Sequence, residues 1–458
     1  MGRISRADLA KTVYYIQRNG IIKAWNAARE RLWEKKQPPY VWEPPAPKEL
    51  QAQRERWDRE GLGPTFSILV PVYRTSQEHL KEMILSLCRQ TYPGWELILA
   101  DATEGAGLES VVRSVWDGRI RYMRIPENGG IAANTNKALE LAWGDYVGLL
   151  DHDDVLTDNA LHEMVLRIEQ ERKRGVEPEL LYSDEDKCSG DGREFFDPHL
   201  KEDFNLELLL SNNYICHFLV MKRELMQDLR LRPEYEGAQD YDLVLRGAGA
   251  LLGREEAICH VPRVLYHWRC HAASTAENPR SKTYAYEAGR RAVEDFVKEK
   301  GWQAQVEEME HVGFYALRYQ GSVFDSRQDV GAVGGRILRR GRIFSGRLSE
   351  AGQPMYKGLP RGWSGPLHRA ILGQDAAAVD IRRIRVRQEC REIFRQTLGV
   401  EYRTLSDGET FDASRLPRGC DPIRMSLELC RALRGAGYRI LYLPCEKPFA
   451  QASSGKES

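Results

Sequence analysis

Four short apolar runs alternate with helix-length segments between residues 66 and 150, and that alternation leaves few folds open. Phe66-Ser67-Ile68-Leu69-Val70-Pro71-Val72-Tyr73, Trp95-Glu96-Leu97-Ile98-Leu99-Ala100-Asp101, residues 120–125 and residues 147–150 read as strands. Residues 78–90, 108–115 and 130–142 read as the helices between them. Crossovers this short build an α/β domain, a Rossmann-like and mostly parallel central sheet with helices on both faces. Such sheets bind ligands outside the carboxyl ends of their strands, and Tyr73, Asp101 and Asp151 each stand at one.

The last run leads into Leu150-Asp151-His152-Asp153-Asp154, three carboxylates in four positions. Acids this dense repel one another and are costly to desolvate, so a cation belongs among them. Oxygen ligands on a loop suit Mg²⁺ or Mn²⁺, not zinc. The competing reading is an acidic loop in which Asp153 or Asp154 caps a helix starting near Asp158. No GxGxxG follows the first strand and no GxxxxGK[ST] occurs anywhere, which disfavours a dinucleotide dehydrogenase and a P-loop enzyme. Without a glycine-rich cradle, a diphosphate needs a metal ion to hold it.

Lys and Arg balance Asp and Glu at 67 each, so nothing global favours nucleic acid. Nine cysteines lie scattered without a CxxC pair, against a zinc site or a disulfide framework and consistent with a reducing cytosol. No apolar run is long enough to span a bilayer, and residues 1–10 carry no signal-peptide core. The expected location is therefore cytoplasmic.

Residues 8–36 read as an amphipathic helix broken or bent at Gly20, with Tyr14, Tyr15, Trp25 and Trp33 among Lys11, Arg18, Lys23, Arg29, Arg31, Lys35 and Lys36. It either contacts an anionic membrane surface peripherally, at the inner face of the cell membrane, or docks on the chain itself or on a partner. A proline-rich linker, residues 37–47, and a charged helical stretch to Gly61 follow. Tyr182-Ser183-Asp184-Glu185-Asp186-Lys187 reads as a further acidic turn, sugar-binding or structural.

Taken together, these residues resemble a family 2 glycosyltransferase of the GT-A fold. The resemblance rests on Ser67–Tyr73, Gln90-Thr91-Tyr92-Pro93, Glu127-Asn128-Gly129-Gly130, Leu150–Asp154, Gln239-Asp240-Tyr241-Asp242-Leu243 and Arg269-Cys270-His271-Ala272-Ala273-Ser274, in that order over residues 66–275. It is nearest to bacterial rhamnosyltransferase-like enzymes of O-antigen and cell-surface polysaccharide synthesis. It implies that Pro71, Val72 and Tyr73 line the base pocket, that Asp101 bonds a pyrimidine and that Asp151 holds the ribose. Asp153 or Asp154 would hold the metal, and Asn128, Gly129 and Gly130 would admit the donor. Asp240 would be the catalytic base, with Gln239 replacing the family's usual Glu. Arg269 would clamp phosphate and His271 approach the metal, with His267 as a second candidate; Asp242 reads as structural.

The domains expected are a helical segment and linker over 1–62, a glycosyltransferase domain over 63–319, a degenerate, non-catalytic half-copy over 320–450 and a disordered tail over 451–458. The half-copy is read from an echo: Leu245-Arg246-Gly247-Ala248-Gly249 recurs as Leu433-Arg434-Gly435-Ala436-Gly437, and residues 215–225 resemble residues 379–389. The function expected is metal-dependent, inverting transfer of a sugar from a UDP- or dTDP-linked donor to a glycan or lipid-linked acceptor. A non-catalytic scaffold of a polysaccharide-assembly complex is the alternative. Asp151, Asp153, Asp154 and Asp240 standing together disfavour it. A nucleotidyltransferase would want a basic loop after the first strand, and Arg74-Thr75-Ser76 is a poor one.

Overall fold

Nine strands between residues 66 and 270 form one sheet in the computed structural model, which describes residues 6–105, 107–270 and 283–444. They are β1 (Phe66–Val72), β2 (Trp95–Asp101), β3 (Ile120–Arg124), β4 (Tyr146–Leu149), β5 (Val155–Leu156), β6 (Leu180–Ser189), β7 (Phe195–His199), β8 (Leu219–Lys222) and β9 (Ile258–Cys270). The order is β3-β2-β1-β4-β8-β6-β9-β5, with β7 beside β6. Strands β1 to β4 pair in parallel, β8 lies antiparallel between β4 and β6, and β9 is parallel to β6. The sheet is mixed but mostly parallel, as the alternation in the sequence predicts.

The parallel half owes its order to buried aliphatic runs. Ile68, Leu69, Val70, Leu97, Ile98 and Leu99 are fully buried, and Leu80, Met83, Ile84 and Leu87 of the helix Gln77–Cys88 share one core with Ile68, Val70, Leu97 and Leu99. Pro71 is tolerated in a central strand for a local reason. Its neighbour two residues back, Leu69, accepts from the Leu150 amide toward β4, and pairing with β4 ends there. Pro71 faces the same way beyond that last pair, so no ladder bond is lost. The strand ends at Val72, Asp101 and Leu149 thus share one edge, and the acidic turn follows the third.

The chain divides into two compact units. One comprises residues 39–204 and 213–296, which includes the nine-stranded sheet; the other comprises residues 1–38, 205–212 and 297–458. In the second unit the strand Val330–Gly334 runs antiparallel to Ile384–Val386 and parallel to Arg439–Tyr442. The helix Arg391–Leu398 follows the antiparallel neighbour and Pro422–Gly435 precedes the parallel one. In the first unit β6 has the same surroundings: β8 antiparallel and followed by the helix Arg223–Leu229, and β9 parallel and preceded by Gln239–Ala250.

The helices Arg6–Asn19 and Ile21–Glu34 break at Gly20, whose φ of 82° an L side chain rarely adopts. Residues 184–187 are not a turn: they lie within β6, and each acid there has a basic partner. Asp184 pairs with His260 at 2.9 Å, Glu185 with His199 at 3.1 Å and Asp186 with His267 at 2.5 Å. The tail over 451–458 lies outside the described residues.

Candidate active site

The turn between β4 and β5 carries the acids. Its backbone closes through the Asp154 amide, which donates to the Asp151 carbonyl at 3.3 Å. The following helix begins at Ala160 behind Asn159, so neither Asp153 nor Asp154 caps it. Asp151 is exposed and Asp154 buried. The Tyr266 hydroxyl donates to Asp154 Oδ2 at 2.5 Å and the Arg269 amide to Oδ1 at 2.7 Å. Burial, then the charges of Asp153 and Asp151, push the Asp154 carboxyl well above the usual carboxylate range, against the pull of those two donors. A group so placed gains most from a nearby cation.

A third donor comes from a distant segment. A carboxylate oxygen of Asp151, one of Asp154 and a ring nitrogen of His217 all lie within 4.8 Å of one another. Two carboxylates and an imidazole fit Mn²⁺ or Mg²⁺ with room for diphosphate oxygens and water. Asp153 is outside this set, its Oδ1 3.6 Å from His152 Nδ1. His271 lies outside the described residues.

His217 is held firmly. Its ring stacks on Tyr266 at 4.4 Å, and its amide donates to Glu185 Oε2 at 3.2 Å. Beneath it the buried Lys201 ammonium donates to the carbonyls of Ile215 and His217 and stands 3.7 Å from Glu185. Burial would raise the Glu185 pKa, but Lys201 and His199 outweigh it and bring it down to about 2. Glu185 is therefore an anion at neutral pH.

Asp240 enters the same cleft from the first turn of the helix Gln239–Ala250. It is not the cap, since Ala238 holds that position, and its Oδ2 accepts from Asn213 Nδ2 at 2.8 Å. Burial raises its pKa, His217 pulls it back, and the Asp151 charge adds to the rise. A carboxylate with raised proton affinity is suited to accepting a proton. Asp242, two residues on, is buried between Arg232 and Arg246 and is structural.

Other expected residues have different employment. Asp101 is buried and accepts from the Thr103 and Leu108 amides, the Tyr122 hydroxyl and Arg124. Burial would raise its pKa, but Tyr122 and Thr103 outweigh that and hold it low. Its carboxylate shapes the loop after β2 instead of reaching outward. Val72 is core, Pro71 is half-buried, and the Tyr73 hydroxyl donates to Glu104 at 3.0 Å. The Asn128 carboxamide accepts from the Gly130 amide at 3.0 Å and from Asn134 at 2.9 Å. Gly129 is exposed, and the helix N-terminus at Gly130 meets Glu236, which accepts from the Ile131 amide at 2.9 Å. A Cβ on Gly130 would come within 2.9 Å of that carboxylate.

Arg269, expected as a phosphate clamp, is instead a buried strut. Nε donates to the Asp153 carbonyl at 2.7 Å, Nη1 to the Gly190 carbonyl at 2.9 Å, and Nη2 pairs with Glu82 at 2.7 Å. It braces the acidic turn from behind. His267 is packed against Trp42 and Phe195. His217, Tyr266, Lys201 and Asn213 escaped the sequence reading as site residues, and Glu185 entered it only within the acidic stretch 182–187. Asn212, Asn213 and His217, set around Tyr214, Ile215 and Cys216 ahead of the apolar β8, were the signal available.

Residues 67–230 match the family model "Glycosyl transferase family 2". The chain is 40% identical over 237 residues to uncharacterized protein y4gI of Sinorhizobium fredii, covering 51% of this chain and 25% of that protein. It is 32% identical over 289 residues to O-antigen biosynthesis protein RfbC of Myxococcus xanthus, covering 62% of this chain and 20% of that protein. The chain thus spans a quarter or less of these two curated relatives. Among solved structures, S. aureus TarS in complex with UDP is similar at 18% identity and a TM-score of 0.38, over 51% of this chain and 65% of that one. Over residues 67–230, which hold β1 to β8 and the acidic turn, the chain thus matches glycosyltransferase family 2.

Proposed function

We propose that this chain transfers a sugar from a nucleoside diphosphate donor, UDP- or dTDP-linked, to a hydroxyl of a glycan or lipid-linked acceptor, with inversion at the anomeric carbon. The observation that carries the reading is the convergence of Asp151, Asp154 and His217 on one point beside Asp240. Asp151, Asp154 and His217 would hold Mn²⁺ or Mg²⁺. Bound there, the ion offsets the negative charge that grows on the departing diphosphate.

Asp240 takes the proton of the acceptor hydroxyl. The acceptor oxygen then bonds to the anomeric carbon, and the bond from that carbon to the diphosphate oxygen breaks with its electron pair. Asn213, donating to Asp240 Oδ2, fixes the orientation of the base. Tyr266 and Arg269 hold Asp154, while Glu185 and Lys201 hold the segment carrying His217. The name of the Myxococcus relative supports cell-surface polysaccharide synthesis as the setting.

The matching strand pattern in the second unit supports reading residues 320–450 as a half-copy without its own reaction. Carried along the echo of Leu245 at Leu433, Asp240 falls opposite Glu428, or opposite Ser426 with a gap; Ser426 accepts from the Ile381 amide at 2.8 Å, and Glu428 pairs with Arg424 at 2.8 Å. Calorimetry of the full chain with UDP and with dTDP, in Mn²⁺ and then in EDTA, tests the reading. Binding that needs the ion and is lost in His217→Ala is expected. Equal affinity in EDTA would remove the metal role of Asp151, Asp154 and His217. A donor-hydrolysis panel of nucleotide sugars then identifies the donor.

A further inference from the structure

The helix Ile21–Glu34 is amphipathic the wrong way round for a helix that merely docks. A surface helix ordinarily turns its apolar stripe to the core and its charges to water. Here the inward side is mainly polar, with one aromatic contact, Trp33 on Trp363 at 5.7 Å between ring centroids. Glu30, only 7% exposed, accepts from the Ser364 and Gly365 amides at 2.9 and 2.6 Å. Lys23, on the same side, pairs with Glu310 at 2.9 Å, and Asn26 lies against Gly362. In the preceding helix Arg18 pairs with Glu308 at 2.7 Å and Asn19 donates to the Glu310 carbonyl at 3.0 Å.

The outward side is apolar. Ile21, Trp25, Ala28 and Leu32 recur at i, i+4, i+7 and i+11, one stripe along the helix, with Ile22 beside it. Ile21 is 74% exposed, Ile22 75%, Trp25 66% and Leu32 63%. Arg29, Lys35 and Lys36 are exposed around the stripe. Residues 6–36 hold eight Lys and Arg against three Asp and Glu, although the chain as a whole is neutral; two of the eight, Arg18 and Lys23, are paired inward with Glu308 and Glu310. Of the three acids, Glu30 is turned inward onto backbone amides. The polar contacts thus anchor the helix while its apolar and basic groups face out together.

We infer that this face is a peripheral membrane-binding surface, which lies in the headgroup region of an anionic leaflet with Trp25 and the isoleucines inserted. Two observations favour lipid over a protein partner. The local excess of cations complements an anionic surface, and each cation adds to the attraction. A tryptophan within a narrow apolar stripe rimmed by Lys and Arg suits the boundary between acyl chains and water. The inference stands on the helix alone and not on the transfer reaction.

Flotation of the full chain with vesicles of phosphatidylcholine, with and without phosphatidylglycerol, tests it. The chain should float with the anionic vesicles and far less with neutral ones. Trp25→Gln with Leu32→Gln should lower the partition by at least about tenfold, because two buried apolar side chains are lost. Lys35→Gln with Lys36→Gln should lower it by roughly fivefold per charge at low salt and by less at high salt. All four positions are exposed, so thermal unfolding of the variants should match the parent chain. No flotation with anionic vesicles would overturn the inference, and so would equal flotation of the Trp25 and Leu32 variant. Self-association in solution that depends on Trp25, or a photo-crosslink from position 25 to a polypeptide and not to lipid, would assign the face to a protein and overturn it as well. Because binding is read without turnover, this result is separate from the test of the transfer reaction.

Discussion

The ring of His217 lies flat on that of Tyr266, 4.4 Å between centroids and 9° from parallel. The Tyr266 hydroxyl meanwhile donates to Asp154 Oδ2 at 2.5 Å and accepts from the Asp151 amide at 3.4 Å. One side chain on β9 therefore sets the positions of all three groups that converge in the cleft. Tyr266 touches neither donor nor acceptor in the proposed reaction; it is a positioning residue.

Tyr266→Phe keeps the stack and removes the hydroxyl. Asp154 then loses its shortest hydrogen bond, and the three donors are less well aligned. Groups that orient metal ligands typically contribute about 10- to 100-fold to metal affinity. The variant should need roughly tenfold more Mn²⁺ for half-maximal nucleotide binding. Its affinity at saturating Mn²⁺ should stay near the parent value. A Mn²⁺ titration that superimposes on the parent chain's would refute this role.

Asp240→Asn tests the base. Asn213 can still donate to the carbonyl oxygen of the new amide, so the local hydrogen bond survives. The amide cannot take a proton, and transfer should fall by at least about a hundredfold while nucleotide binding is retained. Retention of more than roughly a tenth of the turnover would show that another group accepts the proton.

What the sequence made legible was whatever depends on short range. The strands at 66–72 and 95–101 and the acidic turn announce themselves through apolar runs and neighbouring carboxylates. What stayed hidden depends on distant partners. Residues 182–187 read as an acidic turn because the imidazoles of His199, His260 and His267 that pair with its acids arrive from other strands. Asp101 looked available for a base because Tyr122 and Arg124 of β3 are not its neighbours in sequence. Arg269 looked like a clamp because the groups it braces, Asp153, Gly190 and Glu82, are 79 or more residues away. The amphipathic pattern of residues 21–34 was plain, but which side faces inward is decided by the amides of Ser364 and Gly365.

Residues 205–212 supply a third prediction, since they fold with the second unit although they sit in the middle of the first unit's sequence. Glu207 and Arg327, both buried, form an ion pair there. Arg327 also donates to Asp329 at 2.9 and 2.8 Å and stacks on Trp302 at 3.9 Å. Arg327→Met leaves Glu207 buried without its cation, a change that typically costs about 3–5 kcal/mol. Replacing both by Met should recover most of that loss, because the fully buried Glu207 charge is gone and the half-exposed Asp329 keeps Arg439 at 3.3 Å. Urea unfolding of the two variants decides it. A single-variant loss under about 1 kcal/mol would mean that the pair is not what holds this segment.

Acid should destabilise the protein before ordinary exposed carboxylates titrate. The Trp57 indole donates to His162 Nδ1 at 2.9 Å, which requires that nitrogen to be unprotonated, and His162 is buried. Burial, then the charges of Arg56 and Arg263, lower its pKa from 6.5 to about 4. Between those values the unfolded chain binds a proton that the folded chain refuses, so stability falls as pH falls through that window. The loss from this one group is about 2 kcal/mol by pH ~5 and nears ~3 kcal/mol below pH ~4. His311 and His368, stacked at 3.7 Å in the other unit and lowered to about 4 and about 3, act in the same direction. In His162→Gln the side-chain oxygen can still accept from Trp57, but nothing at position 162 titrates. The stability difference between parent and variant, measured by urea unfolding at pH ~7 and again at pH ~5, should therefore shift by about 2 kcal/mol in favour of the variant. An unchanged difference would show that His162 takes up its proton without unfolding cost.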